Sequence, residues 1–541
     1  MKDKNSFFIR GFTQSAIFTF MSRISGFIRD IFIAAFLGAG IFSDIFFIAF
    51  KLPNLFRRVT AEGALTSAVV PIYSKLREQK NKFLADKYLM SLIWKLILLL
   101  CVIVIVLQII MPFVVYFLAP GFSDDSDTID KIIIMTRITI FFMPLVSVVA
   151  LLGVATNVSG KFWALSFTPI ILNFCLIIGC FFIEENLIIR SLPLAVATVL
   201  AGIFQLIFMI LIIKNFNVMK VKKIKGKSND LGDQNKIKIY LKKTWAKFLP
   251  AAFGGGILQV NLLVDTILAS LLGFGSISFL YFADRIAQLP LGIIGIALGS
   301  VLLTSLSKEY AKKNKKNFSN NLIISLKIGF FFSIPTAAAF ISFSELFVRV
   351  LFERGEFTSL ETIQTSHALV AYSLGIPAFI MLKSCQPAFF AEGDTKTPLY
   401  IGIILLMLNI FLSILFMYYW EHAGIALATS VVSWIGVVIY IFLLIKAGKI
   451  LRPINNQTNK YINYNTLLIY FFKILMVSLL MIGLMQLLFY FSSIYQIKDI
   501  LILSLLLTSG LLFYVLTTFV LGYIPQQLLN FYISKFEKAK Y

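Results

Sequence analysis

Long apolar runs alternate with short polar stretches along the whole chain. Each run reaches roughly 20 residues or more, which is the length a helix needs to cross a bilayer. Small and turn-forming residues between the runs, such as Gly38 and Gly160, indicate tight helix hairpins. The pattern predicts about fourteen transmembrane helices. The predicted spans are 12–38, 42–72, 88–118, 131–156, 161–183, 189–214, 240–273, 277–307, 320–351, 363–391, 398–420, 422–446, 464–491 and 498–523.

The two halves of this pattern begin alike. AAFLGAGIFSDIFF, from Ala34, and ASLLGFGSISFLYF, from Ala269, share an LGxG turn between two long helices, and each begins a run of about six spans. Because six is even, both copies have the same orientation, as in parallel repeats. We therefore expect an all-α polytopic membrane protein with two six-helix lobes facing a central cavity, plus two C-terminal helices. Chance recurrence of LGxG in an apolar sequence is the alternative.

The predicted division of the chain follows from these spans. Residues 1–214 form an N-terminal lobe, 215–239 a basic linker, 240–446 a C-terminal lobe, and 464–523 the two extra helices. The longest polar stretch, 214–247, is shorter than the roughly 50 residues at which independent domains begin. The sequence thus leaves no room for a soluble nucleotide-binding domain, and an ATP-driven pump is not expected.

Composition and charge agree with a membrane protein. Of 541 residues, 59% are hydrophobic and 14% charged, and the mean hydropathy is +0.89. The net charge of +23 would favour nucleic acid as a partner for a soluble protein, but here lysines and acidic residues occupy alternate loops. This positive-inside pattern places both termini in the cytoplasm and predicts no nucleic-acid binding. Contact of the basic linker with anionic membrane lipids is an alternative interpretation of its lysines.

Cysteine and histidine usage argues against common metal sites. The four cysteines lie in apolar runs without paired spacing, and the chain has only His367 and His422. Neither a disulfide framework nor a zinc site is expected. The N-terminus lacks a compact apolar core followed by a cleavage site, so we expect an uncleaved protein.

Charged residues within the first two spans are the main candidate site. Ser22, Arg23, Gly26, Arg29 and Asp30 fall within an arc of about 120° on one helix. The second span carries charged residues on both sides of Pro53, where we expect a bend or break. Those that concern the site are Asp44, Arg57 and Glu62.

The second half also carries charge at membrane depth, at Asp265, Asp284 and Arg285. Such residues are costly in lipid and usually face a wet cavity or a partner. Arginines from both halves would make a cavity electropositive, and the planar guanidinium favours phosphate or carboxylate. The alternative is that each arginine forms a structural salt bridge with a nearby acid.

Several segments resemble one known family. They are SRISGFIRD (22–30), SDIFFIAFKLPNLFRRVTAEGALTSAVVP (43–71), APGF (119–122), YFADRIAQLPLGIIGIALGSVLLTSLS (281–307) and TKTP (395–398). These segments resemble the MurJ (MviN) lipid II flippases of the multidrug/oligosaccharidyl-lipid/polysaccharide exporter superfamily. The resemblance implies fourteen helices, with the last two forming a groove for a lipid tail.

The resemblance also implies a function. The family moves lipid II, the undecaprenyl-diphosphate-linked disaccharide-pentapeptide of peptidoglycan, from the cytoplasmic to the periplasmic leaflet of the bacterial inner membrane. The protein would be a transporter rather than an enzyme, with cell-wall synthesis machinery as a further partner. We hypothesise that repulsion among the arginines holds the cavity open until a diphosphate neutralises them, with the membrane potential as a driving force.

The resemblance also implies roles for individual residues, at the positions of this chain that match the family's motifs. The resemblance assigns essential cavity roles to Arg23, Arg29, Asp30, Asp44, Arg57 and Arg285, with Ser22 and Glu62 nearby. We add Asp284, which precedes Arg285, to the predicted substrate-binding residues. The resemblance also implies a sodium site formed by Asp265, Asn409 and Thr429. Ser413 stands where some members carry a second carboxylate, which weakens that expectation. No other cofactor is expected.

The sequence also allows other functions. A flippase for another polyprenyl-diphosphate glycan would keep the arginines, whereas a cation-coupled drug exporter would need an acidic or aromatic cavity. A membrane-embedded glycosyltransferase or phosphatase would need a carboxylate, metal or histidine constellation near one interface.

Overall fold

The chain is mostly helical in the residues that the computed structural model describes, which are 2–59, 65–79, 82–219, 231–449, 464–495 and 497–525. Seventeen α-helices and no strands occur in these ranges. The helices are α1 Lys2–Leu37, α2 Ile41–Val59, α3 Leu65–Glu78, α4 Lys82–Leu118, α5 Ser126–Thr139, α6 Phe142–Val158, α7 Phe162–Cys180, α8 Leu192–Asn215, α9 Leu231–Ser270, α10 Ser276–Pro290, α11 Ile296–Ala311, α12 Lys315–Ser342, α13 Ser344–Phe352, α14 Ser359–Phe390, α15 Lys396–Lys446, α16 Tyr464–Ile494 and α17 Asp499–Val520.

The number of membrane spans agrees with the sequence pattern. Within the described ranges, nine helical segments are long and apolar enough to cross a membrane. One of them, α15, holds two predicted spans, because Trp420 and Glu421 leave helical geometry. The other four predicted spans correspond to α1, to α2 together with α3, to α9, and to α10 together with α11. These helices are more polar or shorter than the nine segments. The prediction of an all-α protein with about fourteen spans is confirmed.

The predicted break at Pro53 does not end the helix. Helix α2 continues through Pro53 to Val59. A proline within a helix removes one backbone hydrogen bond, but adjacent turns hold the helix when both sides are packed. Asp44 and Arg57 therefore lie on one continuous helix.

Packing divides the chain into two compact units. The first comprises Met1–Ser278 with Arg354–Thr358, and the second comprises Phe279–Glu353 with Ser359–Tyr541. In the first, α1 packs against α7, and α9 packs against α2, α3 and α4. In the second, α14 packs against α15 and α12, and α12 packs against α16.

The helix α9 lies in the first unit, although the sequence assigned residues from 240 onward to the second lobe. Its N-terminal half is held there by Ile237 and Leu241, which are buried. A hydrogen bond of 2.6 Å between the hydroxyls of Tyr88 and Thr244 joins α9 to α4. The predicted lobe boundaries remain predictions.

Both LGxG turns depend on glycine. Gly38, between α1 and α2, has φ of +66°, and Gly273, between α9 and α10, has φ of +100°. Side-chain-bearing residues rarely adopt these left-handed conformations. Each LGxG motif thus forms a turn between two helices, as its recurrence in the two halves of the sequence predicted. The relative orientation of the two repeats remains a prediction.

Close packing inside α15 gives the first testable prediction. A Cβ at Gly424 would lie 2.3 Å from the Phe416 carbonyl oxygen, whereas a Cβ at Gly402 would meet nothing within 4 Å. Gly424→Ala should therefore lower stability by about 1–3 kcal/mol, as overpacking does. Gly402→Ala, the matched control in the same helix, should leave stability unchanged or raise it slightly. Thermal unfolding of the purified protein in detergent measures both, and equal melting temperatures would contradict this account of the packing.

Candidate functional site

The buried part of the candidate site is an ion pair in α1. Arg29 and Asp30 are only 8% and 1% exposed. Arg29 donates to Asp30 Oδ1 from Nη2 at 2.6 Å and from Nε at 3.0 Å. Because the carboxylate offsets the guanidinium charge, this pair can persist among apolar helices.

Asn173 of α7 completes this cluster. Arg29 Nη1 donates to Asn173 Oδ1 at 3.0 Å. The amide nitrogen of Asn173 donates back to the Ser22 carbonyl at 3.1 Å and to Ser25 Oγ at 2.9 Å. A Cβ at Gly26 would lie 3.4 Å from Asn173 Nδ2, so the glycine allows this close approach of α1 and α7. We name Arg29, Asp30 and Asn173 the α1–α7 polar cluster.

Arg23 is the contrasting arginine of the same helix. It is exposed, and among the described residues it makes no hydrogen bond or ion pair. Ser22 beside it is half-buried and engages Asn173 through its carbonyl. The predicted polar stripe on α1 therefore divides into a neutralised pair and an exposed guanidinium.

Asp44 of α2 forms a helix cap within the first unit. It is fully buried, and its carboxylate accepts hydrogen bonds from the backbone amides of Gly275 at 2.6 Å and Ser278 at 2.8 Å. The Ser278 hydroxyl also donates to it. Asp44 thus caps the first turn of α10, where unpaired amides and the helix dipole favour a negative charge. In this structure it has no surface with which to touch a ligand.

Arg57 remains accessible near the end of α2. It is half-buried, and its Nε donates to Asn54 Oδ1 at 3.0 Å, one turn earlier on the same helix. This amide acceptor orients the guanidinium. Glu62 lies outside the described residues.

In the second unit, Arg285 stacks on an aromatic ring. Its Cζ lies 4.6 Å from the centroid of Tyr281, and its Nη2 donates to the Tyr281 hydroxyl at 2.9 Å. Asp284 accepts from the amide of Gln288. The cation–π contact and the hydroxyl acceptor fix the orientation of the Arg285 guanidinium.

The predicted sodium ligands are divided between the units. Asp265, in the first unit, accepts from Asn261 Nδ2 at 3.4 Å. In the second, Asn409 Nδ2 donates to Thr429 Oγ1 at 3.2 Å. Asn409 Oδ1 and Ser413 Oγ are buried without a hydrogen-bond partner among the described residues. The described ranges contain no group of three or more His, Cys, Asp or Glu that could hold a metal.

An apolar cavity of about 180 Å³ lies among α12, α13, α16 and α17. We name it the C-terminal groove. Its lining includes Phe331, Phe340, Met485, Leu506 and Leu511. The sequence resemblance attributes a lipid-tail groove to the last two helices, and α12 and α13 also line the cavity found here. Its use by a lipid tail remains a prediction.

Comparisons with known proteins agree on one family. The sequence profile of the family described as "Lipid II flippase MurJ" matches residues 33–506. The chain is 37% identical over 422 residues to "Probable lipid II flippase MurJ" of Rickettsia prowazekii, covering 77% of this chain and 80% of that protein. It is 30% identical over 535 residues to the protein of the same name from Buchnera aphidicola subsp. Schizaphis graminum, covering 98% and 99%.

Solved structures show the same fold. The structure titled "Lipid II flippase MurJ, inward closed conformation" matches with a TM-score of 0.74 and 28% identity, covering 94% of this chain and 98% of that chain. An inward-facing multidrug resistance MATE transporter of the MOP superfamily matches with a TM-score of 0.65 and 13% identity, covering 81% and 99%. The second similarity concerns the fold alone.

The contrast between Arg29 and Arg23 generates a prediction about stability. Arg29→Ala leaves the buried Asp30 carboxylate without its cation and should cost about 3–5 kcal/mol. Arg23→Ala removes an exposed group and should change stability by less than about 0.5 kcal/mol. Arg29→Leu combined with Asp30→Leu removes both charges and should recover much of the loss. Denaturation of the purified variants tests this, and equal stability of Arg29→Ala and Arg23→Ala would show that the pair does not stabilise α1.

Proposed function

Because the chain belongs to the MurJ family of lipid II flippases, we propose that it moves lipid II across the cytoplasmic membrane of a bacterium for cell-wall synthesis. It is a multi-pass membrane transporter rather than an enzyme. The proposed direction of transport is from the cytoplasmic to the periplasmic leaflet. We also propose that both termini lie in the cytoplasm, because lysines are concentrated in the loops on the same side as the termini. Contact with cell-wall synthesis proteins on either side is part of the same proposal.

The observation that carries this proposal is an arginine, inside the first predicted span, whose charge no described residue offsets. Arg23 lies on α1, is exposed, and has no partner among the described residues. A charged side chain at this depth costs at least about 2.5 kcal/mol, so a ligand or water must stabilise it. A diphosphate suits this role because a guanidinium binds two phosphate oxygens at once.

Arg57 and Arg285 are the other two arginines to which the family resemblance gives a cavity role. The Asn54 amide orients Arg57, and the Tyr281 ring and hydroxyl orient Arg285. We assign diphosphate binding to these three arginines. We assign Arg29 to the support of α1, because Asp30 already offsets its charge.

The membrane potential supplies a driving force under this proposal. An inside-negative potential favours outward movement of the anionic head by roughly 2.3 kcal/mol per charge per 100 mV. The same field favours the return of the empty, positively charged carrier. Transport by this route requires no nucleotide-binding domain.

Another polyprenyl-diphosphate glycan is the second candidate substrate, because the arginines recognise the diphosphate and not the sugar. A drug exporter would need acidic or aromatic groups in place of these arginines. The similarity to a MATE transporter concerns the fold and gives no support to drug export.

Complementation of a bacterial strain depleted of its lipid II flippase tests the assigned arginines. The wild-type gene should restore growth, whereas Arg23→Ala, Arg57→Ala and Arg285→Ala should each reduce rescue severely. Arg23→Lys should rescue partly, because lysine keeps the charge but cannot bind two oxygens in a fork. Arg137→Ala, which removes an exposed arginine of α5 outside the assigned set, should rescue fully.

Two results would overturn parts of this proposal. Failure of the inserted wild-type protein to rescue would favour the other glycan substrates. Equal rescue by all three alanine variants would exclude diphosphate binding by these arginines.

We also propose that Asn409 and Thr429 take part in binding a sodium ion. The support is the buried Asn409 Oδ1, which has no hydrogen-bond partner among the described residues, while Nδ2 of the same amide donates to the Thr429 hydroxyl at 3.2 Å. Hard cations bind such oxygen ligands, preferably together with a carboxylate. Asp265 is the carboxylate that the family resemblance implies.

Thermal unfolding in sodium and potassium salts of equal ionic strength tests this site. Sodium should raise the melting temperature of the wild-type protein above that in potassium, because a ligand of the folded state stabilises it. Asn409→Ala should abolish the difference, and Asp265→Asn should abolish it if that carboxylate is a ligand. Asn321→Ala, which loses only a hydrogen bond to Ser305, should keep it. The absence of a sodium effect on the wild-type protein would exclude the site.

A further inference from the structure

The two histidines of the chain have contrasting surroundings in the second unit. His422 is only 3% exposed, whereas His367 of α14 is exposed. His422 lies on α15 directly after Trp420 and Glu421, the two residues at which this helix leaves helical geometry. Burying a charged imidazolium is costly, so the fold around His422 favours the neutral ring.

Two neighbouring helices hold the His422 ring. Its Nε2 donates to the Gln364 carbonyl oxygen of α14 at 2.9 Å. The Phe279 ring of α10 packs against it, with the two ring centroids 5.1 Å apart. Helices α14 and α15 pack extensively against each other. The imidazole therefore joins the break in α15 to both α14 and α10.

The break that His422 follows is a strained and tightly packed turn. Glu421 has φ of +48°, a left-handed conformation that is uncommon for a residue with a side chain. Two residues after His422, a Cβ at Gly424 would lie 2.3 Å from the Phe416 carbonyl oxygen. A strained backbone persists only when surrounding contacts fix it. The contacts of His422 supply part of that support, because they join the turn to other helices.

Protonation of His422 would weaken this support. Among the described residues, the titratable groups that act on His422 are Glu421 of its own helix and His367 of α14. The group that faces it from α10 is the uncharged ring of Phe279. A protonated His367 repels an imidazolium, whereas the exposed Glu421 carboxylate attracts it toward water. The charged ring is thus more stable outside the contact than within it.

We propose that His422 is an acid-sensitive contact, in which the neutral ring holds the turn of α15 against α14 and α10 and protonation releases that turn. The proton comes from the side of the membrane that the turn faces. This side is the periplasm in the orientation proposed above, because Glu421 belongs to the acidic loops opposite the lysine-rich ones. The contact itself does not depend on which lipid the protein transports.

Hydrogen–deuterium exchange of the full-length protein in detergent measures the release. The released turn binds a proton that the closed turn excludes, so release becomes more favourable as the pH falls through about 6.5, the ordinary pKa of histidine. Between about pH 7.5 and pH 5.5, the ratio of released to closed turn should rise about tenfold. After correction for intrinsic exchange rates, protection of the backbone amides of residues 422–428 should fall by that factor. Protection in α6, which has no titratable side chain, should not change.

The matched variants replace each histidine in turn. His422→Gln keeps a donor for the Gln364 carbonyl but cannot gain a proton, so its protection should be equal at the two pH values. His367→Gln alters the exposed histidine of the same unit, and it should retain most of the wild-type change. The comparison separates the titration of His422 from that of all other groups.

Exchange at the imidazole C2 carbon gives a second measurement, which decides the matter if His422→Gln fails to fold. In the wild-type protein, His422 should exchange more slowly than His367 at about pH 7.5, because water reaches the buried ring only after release. The ratio of the two exchange rates should narrow at about pH 5.5, where the turn is released more often.

Three results would overturn the proposal. They are unchanged protection of residues 422–428 in the wild-type protein, a full change in folded His422→Gln, and equal C2 exchange of the two histidines at both pH values. Because none of these measurements requires translocation, they are independent of whether the protein flips lipid II.

Discussion

The cost of charge among apolar helices is the constraint on which this structure depends. In the α1–α7 polar cluster, the constraint is met inside the protein, because Asp30 offsets Arg29 and Asn173 fixes both. Asp44 meets it with the amides of the first turn of α10. These contacts join helices that are distant in sequence, so the same groups that remove unpaired charge also hold the first unit together.

Where the protein does not meet this constraint, an external anion is expected. Arg23 is exposed and has no partner among the described residues. The charge that remains there is positive. The diphosphate head of the proposed substrate would supply the anion.

Much of the fold could be predicted from the sequence, because lipid requires long apolar helices and left-handed turns require glycine. The spans and the turns at Gly38 and Gly273 followed from these local features, whereas the family followed from the resemblance of segments such as 22–30 and 43–71. The partners of the charged residues did not. Asn173 lies 144 residues from Arg29, and Gly275 lies 231 residues from Asp44. The sequence held one sign of the contact between Arg29 and Asn173, namely a single asparagine in the apolar run of α7. Helical periodicity does not specify which helix that asparagine faces.

Transport by the purified protein is the most direct test of the central claim. Fluorescent lipid II is placed in the outer leaflet of vesicles containing this chain alone, and its movement to the inner leaflet is followed by the dye's protection from a membrane-impermeant quencher. Our account predicts protein-dependent movement that changes with the sign of an imposed membrane potential. Movement no faster than in protein-free vesicles at every potential, with the protein folded and inserted, would contradict it.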